Sequence, residues 1–175
     1  MDPIDVHTTT AQASKQRSPW RAARPSESED IIAMCRGLNA EDPGPAPVPD
    51  SHMKRTLETL NREPARGFPV VLEVSGYIED YALLISFWSN ELGGEICNID
   101  ELYVKPGSRG RGYGGALVTA ITDQPSLYPR PLVAIELEVT PQNTRARDLY
   151  ERLGFKAYKN SMLRFDFETT DSERI

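Results

Sequence analysis

Cysteine and histidine are scarce in this chain of 175 residues: two of each, Cys35 and Cys97, His7 and His52. The cysteines are isolated and lack metal-ligand spacing, which argues against a disulfide scaffold or thiolate metal site and suits a reducing compartment, the cytoplasm. Two histidines, both remote from the motifs below, leave little from which to build a His-based triad or an imidazole metal cluster, and no metal is expected. Basic residues do not predominate: 20 Lys and Arg against 26 Asp and Glu give a net charge of −6. That balance argues against nucleic acid and mildly favours a cationic partner. No apolar run approaches the roughly 20 residues of a membrane span; the longest dense one covers residues 81–88. A basic-then-apolar leader pattern is also missing, so neither leader nor anchor is expected.

What is present suffices for one α/β domain: 39% of residues are hydrophobic, enough for a single core. Residues 1–19 are polar and rich in Thr, Ser and Gln, and read as a disordered extension; 20–167 read as the domain and 168–175 as a loose tail. A short strand is expected over 20–24. A helix follows from Ser26, capped with Glu29 three residues on, carrying Ile31, Ile32, Met34, Cys35 and Leu38 inward. Residues 41–50 hold four prolines and form a loop, either a lid or a plain connector. A second helix over 51–62 turns Met53, Leu57 and Leu60 to one side. Strands are expected over 68–77 and 81–88 with 78–80 as their hairpin turn, then over 96–104 after a turn at 89–94. The strand over 132–139 is reached through a helix and is therefore parallel to the strand over 96–104. Residues 156–160 and 162–167 complete the pattern as a last hairpin. The sum is a mixed, mostly antiparallel sheet of six to seven strands with helices on both faces.

Residues 96–122 organise the rest: a strand, a glycine-rich turn and a helix. Glycines let backbone N–H groups turn inward, and with the positive end of the helix they make an anion site suited to a pyrophosphate. Arg109 and Arg111 add rim charge. A mononucleotide loop would need Lys and Ser or Thr after the last glycine, where Ala116 and Leu117 stand. A dinucleotide fingerprint fits as Gly110-x-Gly112-x-x-Gly115, with Glu136 near the distance of a ribose acid. An acyl-CoA turn, Arg-x-x-Gly-x-Gly, fits as Arg109, Gly112 and Gly114. A plain connection is disfavoured, because four glycines in six residues are costly at a helix start.

A second stretch, residues 137–158, decides among them. A strand ends, Asn143 stands at an N-cap position, and Ala146, Leu149, Tyr150 and Leu153 form one helical stripe ending at Gly154. Taken together, the glycine turn and the spacing Asn143-x-x-Ala146-x-x-x-Tyr150-x-x-x-Gly154-Phe155 resemble the GNAT superfamily of N-acetyltransferases. The resemblance implies acetyl-CoA as co-substrate and a V-shaped opening between strands 96–104 and 132–139 for its pantetheine arm. Leu102, Tyr103 and Val104 would present backbone groups to that arm. Arg109, Gly110, Arg111, Gly112, Tyr113, Gly114 and Gly115 would hold the pyrophosphate, and Asn143 and Tyr150 would complete the cofactor site. It further implies an acceptor pocket bordered by the first two helices, and frequent pairing into homodimers.

Acetyl transfer to a primary amine, by direct attack in a ternary complex, needs a neutral amine. An alkyl ammonium has a pKa near 10.4, so deprotonation at neutral pH costs about 4 kcal/mol. A carboxylate, directly or through water, takes such a proton. Asp100 and Glu101 are the candidates, and neighbours on a strand face opposite sides. In resembling proteins with a strand acid, the position four residues before the motif valine, here Val104, makes Asp100 the first choice and Glu101 the second. Tyr150 is the expected general acid, since a phenol stays protonated at neutral pH and can donate to a leaving thiolate. The amide of Leu102 or Tyr103 is a candidate oxyanion donor. Cys97 lacks a nearby histidine to activate it and reads as core. The alternative outcome is a module of the same fold that binds acyl-CoA as a sensor without chemistry. The acceptor itself, a small-molecule or peptide amine, is not encoded in these motifs.

Overall fold

The computed structural model describes residues 18–43, 48–158, 163–165 and 167. They group into two compact units, the first ending at Glu138 and the second beginning at Val139.

The first unit is built on one mixed sheet of β1 (Trp20–Ala22), β2 (Gly67–Val74), β3 (Tyr77–Ser89), β4 (Gly94–Val104) and β5 (Leu132–Leu137), in that spatial order. Every pair is antiparallel except β4 and β5, which are parallel. The helix between them, α3 (Tyr113–Asp123), provides the crossover that a parallel pair requires. Ahead of the long strands lie α1 (Ser28–Glu41) and α2 (Asp50–Arg62). In α2, Met53, Leu57 and Leu60 recur at helical spacing and are all buried.

Alternation along the strands splits the core in two. Val70, Leu72, Ala82, Leu84, Cys97 and Ile99 pack with Leu117, Ala120 and Ile121 of α3. Val71, Tyr81, Leu83 and Tyr103 pack with Ile31, Cys35, Met53 and Leu57 of α1 and α2. Helices therefore cover both faces. The parity breaks once along β4. Leu84 pairs with Ile99 but Leu83 pairs with Glu101, so Asp100 is an extra residue, a β-bulge. Past it, Glu101 and Tyr103 face the α1–α2 side, opposite to Cys97 and Ile99.

Three expectations are corrected. Among the described residues the sheet has five strands, not six to seven; the described parts of 156–160 and 162–167 form no ladder. Residues 159–162 and 166 of that expected hairpin lie outside the described residues. The first hairpin turns at Ser75 and Gly76, not at 78–80. Both residues take positive φ, 53° and 84°, as a tight two-residue hairpin demands. Asp80 is thereby drawn into β3 and buried. Finally, Ser26 and Glu29 do not form the capping box. Pro25–Glu27 make a 3-10 turn and Glu27 is the acid that closes it, accepting from the Arg24 amide at 2.6 Å. Proline's fixed φ suits that first turn and displaces the helix start to Ser28.

The second unit contains α4 (Thr144–Arg152), closed by Gly154 at φ 93°. The amide of Phe155 bonds back to Tyr150 O at 3.0 Å, as a left-handed helix cap requires. The expectations for residues 1–17 and 168–175 lie outside the described residues. Among the described ones, no helix is long and apolar enough to cross a membrane.

Candidate functional site

β5 follows β4 only from Glu95↔Leu132 to Ile99↔Leu137. β4 continues to Val104, held on its other side by β3 as far as the Asp80↔Val104 pair. Leu102, Tyr103 and Val104 thus lie outside the β4–β5 ladder, on a strand edge of the kind that accepts an extended chain by backbone hydrogen bonds. The β4–β5 ladder ends at Ile99, one residue before the bulge at Asp100, which adds local twist.

This edge runs directly into the glycine turn. A 3-10 turn, Pro106–Ser108, ends β4. Gly110 and Gly112 follow in left-handed conformations, φ 80° and 81°, and Gly112 is the N-cap of α3, with no side chain capping it. The amides of Tyr113, Gly114 and Gly115 therefore stand at the positive end of the helix without a side-chain partner from the cap. Trp20 anchors this turn, its indole Nε1 donating to Tyr113 O at 2.9 Å. Gly110 and Arg111 are exposed at the rim, and Gly114 is buried. Arg109 is engaged inward: its Nε donates to Val104 O at 2.8 Å, it pairs with the Glu41 carboxylate, and it lies over the Tyr103 ring at 6.0 Å. It ties the glycine turn to the end of α1 and to the end of β4. Glu41 carries no sequence signal for this; it stands at the edge of a proline-rich stretch.

A buried acid supports the same junction. Asp80 is fully buried, and its Oδ1 accepts from the Lys105 amide at 2.9 Å. Its Oδ2 has no hydrogen-bond partner among the described residues. Burial raises its pKa from 3.8 to about 6, opposed mainly by the Lys105 amide. The Lys105 ammonium is held by Ile78 O at 2.7 Å.

The two strand acids sit differently. Asp100 is exposed at the bulge; desolvation by the surrounding protein raises its pKa, and the Glu138 carboxylate adds to the rise. Glu101 is half-buried on the α1–α2 face, and Tyr81 donates to its Oε2 at 2.6 Å. Burial raises its pKa, the Tyr81 bond lowers it, and the charge of Asp100 raises it again. Cys97 is fully buried and burial pushes its thiol up to about 12, which keeps it unreactive.

In the second unit, Asn143 caps α4, its Oδ1 accepting from Ala146 N at 3.1 Å. Tyr150 is buried, with its ring edge-on to Phe155 at 5.4 Å, and burial raises its pKa. Its phenol therefore stays protonated well above neutral pH.

The chain resembles known proteins in sequence and in fold. The sequence model of the acetyltransferase (GNAT) family covers residues 31–155. The chain belongs to this family. Mycothiol acetyltransferase of Beutenbergia cavernae is 42% identical over 76 residues, 43% of this chain and 25% of that protein. The chain thus spans about a quarter of that relative. Among solved structures, a possible acetyltransferase from Clostridium difficile 630 superposes with a TM-score of 0.72 at 20% identity, over 86% of this chain and 97% of that one. A predicted acetyltransferase with acetyl-CoA from Clostridium acetobutylicum gives a TM-score of 0.68 at 17% identity, over 83% of this chain and 94% of that one. At such identities the structural likeness speaks to the fold.

Proposed function

We propose that this GNAT family member transfers the acetyl group of acetyl-CoA to a primary amine of a small molecule or peptide, by direct attack in a ternary complex. The observation that carries the reading is the continuity of the β4 edge beyond Ile99 with the uncapped glycine turn. The edge offers hydrogen-bonding groups to the pantetheine arm. The turn offers amides and helix charge to the pyrophosphate. Leu102, Tyr103 and Val104 hold the arm; Gly110, Arg111, Gly112, Tyr113, Gly114 and Gly115 hold the phosphates. Arg109 shapes the turn through Val104 O and Glu41 while its charge stays close by. Asn143 and Tyr150 complete the site, as the resemblance implies.

Acetyl-CoA supplies an activated thioester carbonyl. Glu101 or Asp100 takes a proton from the ammonium; the freed nitrogen forms the new C–N bond as the C–S bond breaks, Tyr150 gives its proton to the departing sulfur, and the second proton lost by the acylated nitrogen restores the phenol. The backbone amide of Leu102 or Tyr103 bonds the carbonyl oxygen as it becomes negative. Of the two acids we take Glu101 as the base, reversing the order that spacing from Val104 suggests. The bulge turns Glu101 to the face of α1 and α2, the helices that border the acceptor pocket in resembling proteins. Two buried free thiols suit a reducing compartment, the cytoplasm.

Thermal shift with acetyl-CoA, CoA and NAD side by side tests the cofactor. Saturation at a hundred times the dissociation constant adds about 2.7 kcal/mol, several degrees for a chain of this size. Stabilisation by NAD alone would overturn the reading. Thiol release against a panel of polyamines, aminoglycosides, amino acids and peptides tests the chemistry. Tyr150→Phe is expected to cut turnover about 10²-fold with cofactor affinity little changed; unchanged turnover would remove Tyr150 from the mechanism.

A further inference from the structure

The acids of β4 do not stand alone. Beneath α1, three polar side chains contributed by separate elements meet at one point. Tyr81 of β3 is fully buried and donates to Glu101 Oε2 at 2.6 Å. The Cys35 thiol of α1, itself buried, lies against the same phenol and accepts from Asn39 Nδ2 at 3.4 Å. Tyr81 is further fixed by packing against the Tyr103 ring, centroids 6.4 Å apart. A fully buried phenol on a central strand has few accessible rotamers, so the direction of its O–H is set by the fold. That direction ends on one oxygen of Glu101 and leaves the other oxygen unclaimed by Tyr81.

We propose that Tyr81 is a positioning residue of the transfer reaction: it clamps Oε2 of Glu101 so that Oε1 is the proton acceptor for the incoming amine. This deepens the reading in which Glu101 is the base, and rests on it. A half-buried carboxylate without such a clamp samples several rotamers, and each wrong one removes the base from reach of the amine. The bond also stabilises the ionised form, which is the form a base must hold. Charged and titratable neighbours around Glu101 are Tyr81 from β3, Cys35 from α1 and Asp100 on its own strand; from α2, Asp50 bears on Cys35.

Carbon-13 NMR of the Glu carboxyl groups, in the protein without added ligand, reads the clamp directly. In Tyr81→Phe the Glu101 midpoint should rise by about one pH unit, a tenfold change in proton affinity. In Asp100→Asn it should fall, because a like charge is removed. With any panel amine that turns over, Tyr81→Phe should lower kcat about tenfold, leave the KM for acetyl-CoA unchanged, and move the acid limb of the pH profile upward with the NMR midpoint. Tyr81 is fully buried, so a readout on the unaltered protein backs the variant: the Tyr81 Cζ resonance should shift with the same midpoint as the Glu101 carboxyl. A Glu101 midpoint unmoved in Tyr81→Phe, or a Tyr81 resonance that ignores the Glu101 titration, overturns the clamp. A pH profile unmoved while the NMR midpoint moves overturns its part in catalysis. Full activity in Glu101→Gln removes Glu101 as base, and the positioning role falls with it; that result leaves the acetyl-CoA reading standing, since CoA binding is measured separately.

Discussion

Asp80→Asn should make this protein more stable at pH 8 and confer little advantage near pH 4. Asp80 is fully buried, with one oxygen bonded to the Lys105 amide and the other without a hydrogen-bond partner among the described residues. Its pKa is raised from 3.8 to about 6, burial being the main cause. For an acid, a raised native value means that the folded state binds a proton more tightly than the unfolded chain. Stability from this group is therefore present at low pH and declines as pH rises from 3.8 to about 6. The interval corresponds to about 3 kcal/mol at about 1.4 kcal/mol per pH unit. Asparagine removes the charge and keeps a neutral acceptor for Lys105 N, as the protonated acid does; the Lys105 bond to the carboxylate is already contained in the raised value. The expected gain is about 3 kcal/mol at pH 8, or roughly 6–12 °C in melting temperature. Melting of both proteins between pH 4 and pH 8 is the assay, with the gap narrowing below pH 6 and closing toward pH 4. A gap that does not vary with pH, or a less stable variant at pH 8, would refute the reasoning. Glu79, Lys105 and Arg109 also act on Asp80, so the midpoint of the gap should shift with salt.

Gly67 has φ 142°, and a Cβ there would lie 2.1 Å from Leu84 O and 2.9 Å from Ile85 Cα; Gly67→Ala should lose about 2–4 kcal/mol in urea titration. Asn143→Ala removes the side-chain cap of α4 and should weaken that helix by about 1 kcal/mol, read as faster hydrogen exchange of the 144–147 amides with the sheet amides unchanged.

Much of the fold is legible in the residues. Buried periodicity marks α2 through Met53, Leu57 and Leu60, and the dense apolar run over 81–88 marks a central strand. Gly110 and Gly112 mark left-handed positions that other residues resist. Asn143 and Gly154 bracket α4, one capping its start and the other its end. These signals are local, carried within one turn or one strand. The Ser75–Gly76 turn is equally local, marked by its Ser-Gly dipeptide with both residues at positive φ.

What tertiary structure alone decided concerns pairings between distant segments. The bulge at Asp100 depends on how β3 lies against β4, and one extra residue exchanges the faces of everything after it. That shift, which spacing along β4 could not reveal, puts Glu101 beneath α1 and against Tyr81, twenty positions away in sequence. Arg109 meets Glu41 across 68 positions, and Asp80 meets the Lys105 amide across 25. Sequence thus determined which groups are available and which segments are helix, strand or turn. The fold determined which acid faces α1 and α2, because a side chain's neighbours are fixed by strand register, and register is a property of the assembled sheet.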